Sequence, residues 1–359
     1  MDAVLTEEQQ SVFDQASRFI ETRRGGKQWF YYAGLAGVGK SCVLAALGRA
    51  YPDAVPCAFT GKAASVLARK SGLYVSTLHQ FIYNFVGEDK ENGNVYFKPK
   101  YKPGELKGEI ALLDEVSMIG NYNMSVLLDT GCKIIACGDP GQLQAVRDVS
   151  FFKTQRADAT LTEIHRQALD SAIIRQAYNM RNNGVYCDDG DDFRVVKWFS
   201  AAEALSADAI ICWRNATRHA LNRKVREWRG LPGGVCKAGE PVMCMKNNHD
   251  LGILNGAVYT LLEDHIAGST VIAIKNERGE ETVVEGAWIE DFETVPYLGE
   301  DGEHRPFSHG YAFTCHKSQG SSFGRVIVID EYNRSEERRE FMYTAFTRSE
   351  QSVIVQRSW

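Results

Sequence analysis

Short apolar runs alternate with amphipathic stretches over the first part of the chain. The apolar run WFYYA at 29–33 is followed by the helix-like segment CVLAALGRAY at 42–51. Three later runs, EIALLDEVSM (109–118), CKIIACGDP (132–140) and ATLTEI (159–164), each end in polar residues. Buried strands that alternate with helices are typical of an open parallel sheet covered on both faces. The pattern predicts a first α/β domain over residues 1–165.

The same alternation of apolar runs and amphipathic stretches occurs in the second half of the chain. It is carried by DAIICWRNATRHALNRKV (208–225), RVIVID (325–330) and the final run SVIVQ (352–356). These runs predict a second α/β domain over residues 166–359. The predicted fold class is therefore α/β, with two similar sheet domains.

Two segments depart from this alternation and are predicted to be insertions. Residues 236–308 contain short alternating runs with turn signals at Asn255-Gly256 and Arg278-Gly279, which predicts a small β module inside the second domain. Residues 85–107 contain Asn92-Gly93 directly before VYF, which predicts a β-hairpin inserted in the first domain.

The composition describes a globular chain. Of its 359 residues 44% are hydrophobic and 24% charged, and 41 basic against 46 acidic residues give a net charge of −5. A nucleic-acid site would therefore need a local basic patch. The nine cysteines form no C-x-x-C pair, the acidic start MDAVLTEEQQ is unlike a signal peptide, and no apolar run reaches membrane-spanning length. We expect a soluble, cytoplasmic protein without a membrane partner.

The segment GLAGVGKS at 34–41 matches the phosphate-loop pattern G-x-x-x-x-G-K-[ST] between a strand and a helix. Glycines in such a loop let backbone N–H groups approach phosphates, the lysine reaches the β and γ phosphates, and the serine hydroxyl can ligate Mg²⁺. The segment predicts a site for ATP with Mg²⁺. The predicted binding residues are Gly34, Gly37, Val38, Gly39, Lys40, Ser41 and Cys42.

An acidic pair follows the apolar run IALL and completes this chemistry. Asp114 is predicted to hold Mg²⁺ together with Ser41, directly or through water. Glu115 is predicted to orient or deprotonate the attacking water, a role that favours hydrolysis over simple nucleotide binding. An acidic pair after a strand is by itself a weak signal. It indicates a hydrolytic site only because the phosphate loop is present in the same domain.

Eight segments together resemble the superfamily 1 helicases of the RecD-like, 5′-to-3′ subgroup, in particular the Dda-type phage helicases. The resemblance covers nearly the whole chain. The segments, in chain order, are GLAGVGKS, AFTGKAA (58–64), STLHQ (76–80), LLDEVSM (112–118), GDPGQLQAV (138–146), LTEIHRQ (161–167), FTCHKSQGSSF (313–323) and YTAFTRS (343–349).

The resemblance implies further nucleotide-site residues. In LTEEQQ, Gln9 would read adenine because its amide offers a donor and an acceptor, with Gln10 as the alternative. Gln142 would sense the γ-phosphate, and Gln319 and Gly320 would lie near ATP. Arg166 and Arg348 would be arginine fingers supplied by the second domain. The alternative for either arginine is a surface ion pair.

The resemblance also implies a groove for single-stranded DNA. Its contacts would be Thr60, Lys62, Thr77 and His79 in the first domain and Thr314, His316 and Lys317 in the second. The alternative is that such a threonine or histidine is a polar residue after a strand whose hydrogen bonds are made within the protein. Tyr96 and Phe97 would form a strand-separating pin, for which a solvated basic loop is the alternative, and the inserted β module would be SH3-like.

The implied fold is a pair of RecA-like domains, and the implied function is ATP-driven 5′-to-3′ translocation on single-stranded DNA with unwinding of duplex. The expected partners are single-stranded DNA and single/double-strand junctions, with a single-strand binding protein as a further candidate. We expect a monomer of phage or bacterial origin. A nucleoprotein remodeller or switch without unwinding is the alternative. A nuclease domain is not expected, because the chain ends eleven residues after Arg348.

Overall fold

The computed structural model describes residues 5–22, 26–88, 95–144, 150–163, 171–231, 233, 235–246, 248, 251–266, 268–276, 278–290, 305–331 and 335–357. The chain forms two compact units, one of residues 1–87 and 96–183 and one of residues 88–95 and 184–359.

The first unit is built on a parallel sheet. Its strands, with those of the hairpin, are β1 (Trp29–Gly34), β2 (Val55–Ala58), β3 (Ser76–Thr77), β4 (Tyr83–Glu88), β5 (Val95–Pro99), β6 (Ile110–Asp114), β7 (Lys133–Gly138) and β8 (Ala159–Leu161). Six of them form the sheet β3-β2-β6-β7-β1-β8, in which β1 runs parallel to both β7 and β8. The strands β4 and β5 pair with each other.

Helices pack on both faces of this sheet. The helices of the first unit are α1 (Glu7–Glu21), α2 (Lys40–Ala50), α3 (Gly61–Ser71), α4 (Leu78–Ile82), α5 (Asn121–Asp129) and α6 (Ala172–Asn183), with 3₁₀ turns at Val116–Met118 and Phe151–Lys153. Alternation along β1 sends Phe30 and Tyr32 to the side of α1 and α2, and Tyr31 and Ala33 to the opposite core. The loop after β1 therefore starts from a fully supported strand.

The sequence determines where α1 begins. Thr6 and Gln9 form a capping box, in which each side chain accepts a hydrogen bond from the backbone of the other. Val12, Ala16 and Ile20 follow at intervals of four and are buried. This spacing places them on one helix face, which packs against the sheet.

The second unit contains a parallel sheet and an inserted β module. Its strands are β9 (Phe193–Val196), β10 (Ala209–Cys212), β11 (Val235–Cys236), β12 (Pro241–Cys244), β13 (Val258–Leu261), β14 (His265–Ile266), β15 (Val271–Lys275), β16 (Glu281–Glu285), β17 (Ala287–Ile289), β18 (Arg305–His309), β19 (Ala312–Thr314), β20 (Phe323–Asp330) and β21 (Ser349–Arg357). Its helices are α7 (Ala201–Ser206), α8 (Asn215–Trp228), α9 (Cys315–Ser318) and α10 (Ser335–Phe346).

The parallel sheet of the second unit has the order β19-β10-β20-β21-β9. The β module intervenes in sequence between β10 and β19, which pair directly, with Ile210 opposite Ala312. The module has its own sheet, β16-β15-β13-β12-β18-β17, and a pair β11-β14. Its core is apolar and includes Val242, Leu261 and Phe307.

Buried polar groups attach the module to helix α8. The Arg218 guanidinium, 2% exposed, bonds to Glu290 and donates to Ser308 Oγ at 3.0 Å. Arg226 Nε donates to Glu240 Oε2 at 2.9 Å. Asn222 links the end of the module to the sheet, because its amide donates to the His309 carbonyl and accepts from Ala312 N.

The strand runs expected from the sequence are found as β1, β6, β7, β8, β10, β20 and β21. The two-stranded pair β4-β5 lies where the hairpin of 85–107 was predicted, although Asn92-Gly93 falls outside the described residues. The first unit continues to Asn183 and so includes α6, beyond the border predicted at 165/166. In the described parts of the chain, every helix is too short or too polar to cross a bilayer.

Candidate functional site

The loop between β1 and α2 forms a cradle at the carboxyl end of the first sheet. Gly37 and Gly39 have φ angles of 84° and 80°, a left-handed conformation that glycine adopts without strain. Lys40 Nζ donates to the Leu35 carbonyl at 2.9 Å, so the ammonium lies over the loop. The Tyr32 hydroxyl donates to the Lys40 carbonyl at 3.0 Å and fixes the start of α2 from the strand side.

Asp114 is the last residue of β6, and its side chain lies beside the phosphate loop. Ser41 Oγ donates to Asp114 Oδ2 at 3.0 Å. The other carboxylate oxygen accepts hydrogen bonds from Cys137 Sγ at 3.1 Å and from Glu115 N at 2.9 Å. The sequence predicted that Ser41 and Asp114 act together, and the structure brings them together.

Glu115 has φ 53° and ψ 47°, and it is the one non-glycine residue with positive φ within the described ranges. This conformation costs a non-glycine residue of order 1–3 kcal/mol, and residues held in it cluster at functional sites. The residue follows Asp114 at the end of β6, where the chain turns into a 3₁₀ helix.

The residues of the cradle fit MgATP. Gly37 and Gly39 adopt left-handed conformations of the kind that let a loop turn its backbone N–H groups toward phosphate oxygens, and a lysine ammonium lies over the loop. A serine hydroxyl and a carboxylate are the oxygen ligands that Mg²⁺ prefers, with phosphates and water completing its shell. No group of three or more His, Cys, Asp or Glu side chains that could hold a metal by itself occurs among the described residues.

Gln9 connects α1 to the phosphate loop. Its side-chain nitrogen donates to the Val38 carbonyl at 3.1 Å, and its oxygen accepts from Thr6 N at 3.1 Å. Gln9 is buried, while Gln10 is exposed and bonds to Asp14. The structure therefore places Gln9 against the loop, and its role in reading adenine stays a prediction.

The segment GDPGQ (138–142), in which Gln142 is the predicted γ-phosphate sensor, begins at the last residue of β7 and is packed tightly. Gln142 is buried, and Asp139 Oδ1 accepts from Gly141 N at 2.9 Å. A Cβ on Gly141 would lie 2.3 Å from Arg181 Nε, so a larger residue here would displace the end of the Arg181 side chain. Arg181 of α6 thus packs directly against this segment.

Sequence reasoning missed the part played by α6. Its Tyr178 hydroxyl donates to the Ala36 carbonyl in the phosphate loop at 3.4 Å, and Arg181, one turn later, packs on Gly141. Burial raises the pKa of Tyr178 to about 12, so this hydroxyl remains a donor near neutral pH. The i, i+3 spacing of the two residues puts them on one face, but nothing in the sequence indicates which loops that face meets.

The DNA-contact residues predicted in the first unit lie after β2 and β3. Thr60 Oγ1 accepts from Ala63 N and caps α3, and Thr77 Oγ1 accepts from Gln80 N and caps α4. Lys62 lies in the first turn of α3 and is half-buried. The two hydroxyls thus have structural partners, and their contact with DNA stays a prediction.

His79 belongs to an aromatic cluster that continues into the hairpin. Its ring centroid lies 5.8 Å from that of Phe59, 5.6 Å from Tyr83 and 6.3 Å from Phe97. Phe97 in turn lies 6.2 Å from Phe85. Phe97 is 43% exposed, and the neighbouring Tyr96 is 53% exposed. The structure therefore separates the two pin candidates, because Phe97 has several ring contacts and Tyr96 projects further into solvent.

In the second unit, the predicted contacts lie at the carboxyl end of β19. Thr314 is buried at the start of α9. The His316 ring lies 5.4 Å from Trp213, a residue that sequence reasoning did not single out. Lys317 Nζ donates to Asn255 Oδ1 of the β module at 2.5 Å.

The remaining nucleotide-site candidates of the second unit are largely buried. Gln319 is buried after α9, and Gly320 has a φ of 75°. Arg348 is 7% exposed and donates to the carbonyls of Thr344 and Ser321, both at 3.3 Å. The alternative of a surface ion pair does not describe this environment, and the role of Arg348 as an arginine finger stays a prediction. Arg166 lies outside the described residues.

Two family models match the chain. One, described as an AAA domain, matches residues 6–200, and the other, described as a UvrD-like helicase C-terminal domain, matches residues 309–356. The first match covers more than half of the chain. The chain belongs to the AAA-domain family. The two matches, together with the relatives below, place it among the superfamily 1 helicases of the RecD2 and Pif1 kind.

Individual relatives agree with this placement. An ATP-dependent RecD2 DNA helicase of Deinococcus radiodurans is 28% identical over an alignment of 377 positions, gaps included, which covers 96% of this chain and 48% of the relative. A conjugal transfer protein TraA of Rhizobium radiobacter is 25% identical over an alignment of 382 positions, which covers 95% of this chain and 32% of the relative. The chain thus spans about half or less of these curated relatives.

Solved structures show the fold. A Bacteroides Pif1 bound to single-stranded DNA has a TM-score of 0.65 and 19% identity, with 99% of this chain and 92% of that chain covered. Together with the two parallel sheets, this similarity confirms the predicted α/β class with two RecA-like domains. The predicted SH3-like character of the β module stays a prediction.

Proposed function

We propose that this chain is an ATP-dependent motor that moves 5′ to 3′ on single-stranded DNA and unwinds duplex. The observation that carries the proposal is the hydrogen bond from Ser41 to Asp114 beside the phosphate loop, with Glu115 next to them. A site that only binds nucleotide has no need of a second acidic residue for water. Membership in a helicase family supports DNA as the molecule along which the motor moves.

The predicted site residues divide the hydrolysis between them. Lys40 neutralises charge on the β and γ phosphates, and Ser41 and Asp114 hold Mg²⁺, which supplies Lewis-acid stabilisation when it is bound. Glu115 takes a proton from the attacking water, and Gln142 senses the γ-phosphate. Arg166 and Arg348 stabilise the transition-state charge as arginine fingers.

Single-stranded DNA is the proposed partner, and duplex junctions are the proposed site of work. Phosphate contacts come from the residues around Lys62 and Lys317, and base stacking comes from the exposed aromatics of the hairpin, as is general in single-strand grooves. A Pif1 of similar fold has been solved with single-stranded DNA. We propose that the motor works as a monomer, with a single-strand binding protein as a further partner.

Strand displacement with defined overhangs tests the proposal. Forked and single-overhang duplexes are offered with either a 5′ or a 3′ tail, with ATP and Mg²⁺, and Lys40→Ala serves as the motor-dead control. Displacement that needs ATP and a 5′ tail supports the proposal. Displacement from 3′ tails alone contradicts the polarity. Hydrolysis stimulated by DNA without displacement of any substrate identifies a remodeller or switch instead.

A further inference from the structure

The turn at residues 254–256 of the β module lies against helix α9, which carries Lys317. Asn255 Oδ1 accepts a hydrogen bond from Lys317 Nζ at 2.5 Å. Gly256 has a φ of 83°, and a Cβ on it would lie 3.4 Å from the Lys317 carbonyl oxygen. The left-handed φ of Gly256 suits glycine, and the turn lies in van der Waals contact with the backbone of α9, with the Asn255 amide at the lysine.

The turn that presents Asn255 is held by its own hydrogen bonds. Gly256 N donates to the Cys244 carbonyl at 2.9 Å, and Leu254 N donates to the Tyr259 hydroxyl oxygen at 3.0 Å. Ala257 N donates to the Leu254 carbonyl at 3.0 Å. Asn255 thus projects from a rigid support.

The module itself is fixed to the parallel-sheet part of the second unit. Arg218 of α8 bonds to Glu290 and Ser308, which belong to the module and lie beyond the turn in sequence. Because both the turn and the module are anchored, the distance between Asn255 and Lys317 is set by the fold and not by the lysine alone.

The chemistry of the Asn255 side chain preserves the charge of the lysine. Burial lowers the pKa of Lys317, which means that the surroundings disfavour its charged form. A neutral amide oxygen provides the hydrogen bond that the desolvated ammonium needs and leaves its positive charge uncancelled. A carboxylate at the same position would satisfy the hydrogen bond and cancel the charge.

We propose that Asn255 is a positioning residue that holds the Lys317 ammonium, with its charge intact, for a phosphate of the bound strand. The inference rests on the proposed function, in which Lys317 contacts DNA. It adds the β module to the DNA-binding machinery through a residue that acts on the lysine.

Salt dependence of single-strand binding tests this role. The affinity of the full chain for oligo-dT is measured by anisotropy over a series of salt concentrations, for the wild type, Lys317→Met, Asn255→Asp and the double variant. Each lost phosphate contact lowers the steepness of log K against log salt by about 0.7. We expect this loss from Lys317→Met, a similar loss from Asn255→Asp, and no further loss in the double variant.

Two controls separate this role from general effects of charge and folding. Thr270→Asp adds the same charge at an exposed position of the module and is expected to keep the wild-type slope. If Asn255→Asp unfolds the protein in a thermal melt, Asn255→Ala replaces it. Its loss of affinity should likewise vanish in the Lys317→Met background.

The outcomes distinguish the inference from the proposed function. A wild-type slope for Lys317→Met removes this lysine from the DNA contacts, and the role of Asn255 falls with it. A reduced slope for Lys317→Met together with a wild-type slope for Asn255→Asp overturns the role of Asn255 alone. Losses that add in the double variant also overturn it, because Asn255 would then act independently of the lysine.

Discussion

Cys137 donates its thiol hydrogen to Asp114 at a sulfur–oxygen distance of 3.1 Å, in the buried part of the site. Burial, together with the neighbouring Asp114 charge, raises the pKa of this thiol well above its ordinary value. The thiol therefore remains protonated and stays a donor across the working pH range. The thiol thus donates to one oxygen of the Asp114 carboxylate, and the Ser41 hydroxyl donates to the other.

Removing this donor should impair hydrolysis modestly. Cys137→Ala is expected to lower kcat of the DNA-stimulated ATPase about two- to ten-fold, the range set by one hydrogen bond of about 0.5–1.5 kcal/mol. Cys137→Ser keeps a donor and should remain near wild type. Because the pKa is raised, the two variants and the wild type should share one pH profile between pH 7 and 9. Equal activities for Ala and Ser would show that the hydrogen bond is dispensable.

Asp114→Asn and Glu115→Gln should fail in different ways. Glu115→Gln is expected to bind MgATP with near wild-type affinity and to hydrolyse it at least about 10²-fold more slowly, because an amide takes no proton from water. Asp114→Asn is expected to weaken the dependence on Mg²⁺. Fluorescent-nucleotide binding and single-turnover hydrolysis separate the two steps. Identical defects in nucleotide binding would refute the division of roles.

Cys42 offers a test of the nucleotide site that needs no turnover. All nine cysteines are free thiols, and of these Cys42 and Cys187 are exposed. A thiol reagent should therefore label two cysteines in the native protein and the other seven only after unfolding. MgATP should slow labelling of Cys42, which adjoins Ser41, and leave Cys187 unchanged as an internal control. Equal protection of both thiols, or of neither, would contradict the site, and mass spectrometry distinguishes these results.

The proposed arginine fingers should affect chemistry more than DNA binding. Arg166→Ala and Arg348→Ala are each expected to lower kcat by roughly 10²–10⁵-fold, near the range for such residues, with little change in affinity for single-stranded DNA. Arg348 also bonds to the Thr344 and Ser321 carbonyls, so its variant needs a thermal melt beside the kinetics. A loss of DNA affinity larger than the loss in kcat would reassign either residue to the DNA groove.

Tyr96 and Phe97 should behave differently when replaced singly. Tyr96→Ala is expected to reduce unwinding of a 5′-tailed duplex and leave both DNA-stimulated hydrolysis and the melting temperature within error, because Tyr96 is the more exposed ring. Phe97→Ala should also lower the melting temperature, because Phe97 lies among His79, Tyr83 and Phe85. Parallel loss of hydrolysis and unwinding in Tyr96→Ala would make that residue structural.

Local chemistry explains which parts of the site could be predicted. The phosphate loop and Asp114 are specified by contiguous motifs on strands that the apolar pattern also marks, and the structure brings Ser41 and Asp114 together. The capping boxes at Thr6–Gln9 and Thr77–Gln80 depend on equally local contacts, between a side chain and the backbone three residues away.

Contacts between distant segments explain what sequence could not supply. Tyr178 meets Ala36, and Asn255 meets Lys317, only because helices and turns far apart in sequence pack together. No periodic pattern or motif in the sequence indicates that the two residues of either pair are partners. The surroundings of Arg348 also follow from packing, because its carbonyl partners become available only once α10 and the segment around Ser321 are folded.

The position of the β module between β10 and β19 has a consequence for how the second unit folds. Ile210 and Ala312 pair across a long stretch of chain, and closing such a loop carries an entropic cost that slows folding. The module reduces this cost if it folds first, because Val242 and His309 pair at its two ends and shorten the effective loop. Asn222 then joins the exit of the module to the incoming strand. The sheet of the module thus brings the two ends of the insertion together, so that Ile210 and Ala312 pair across a shorter effective loop than their separation in sequence suggests.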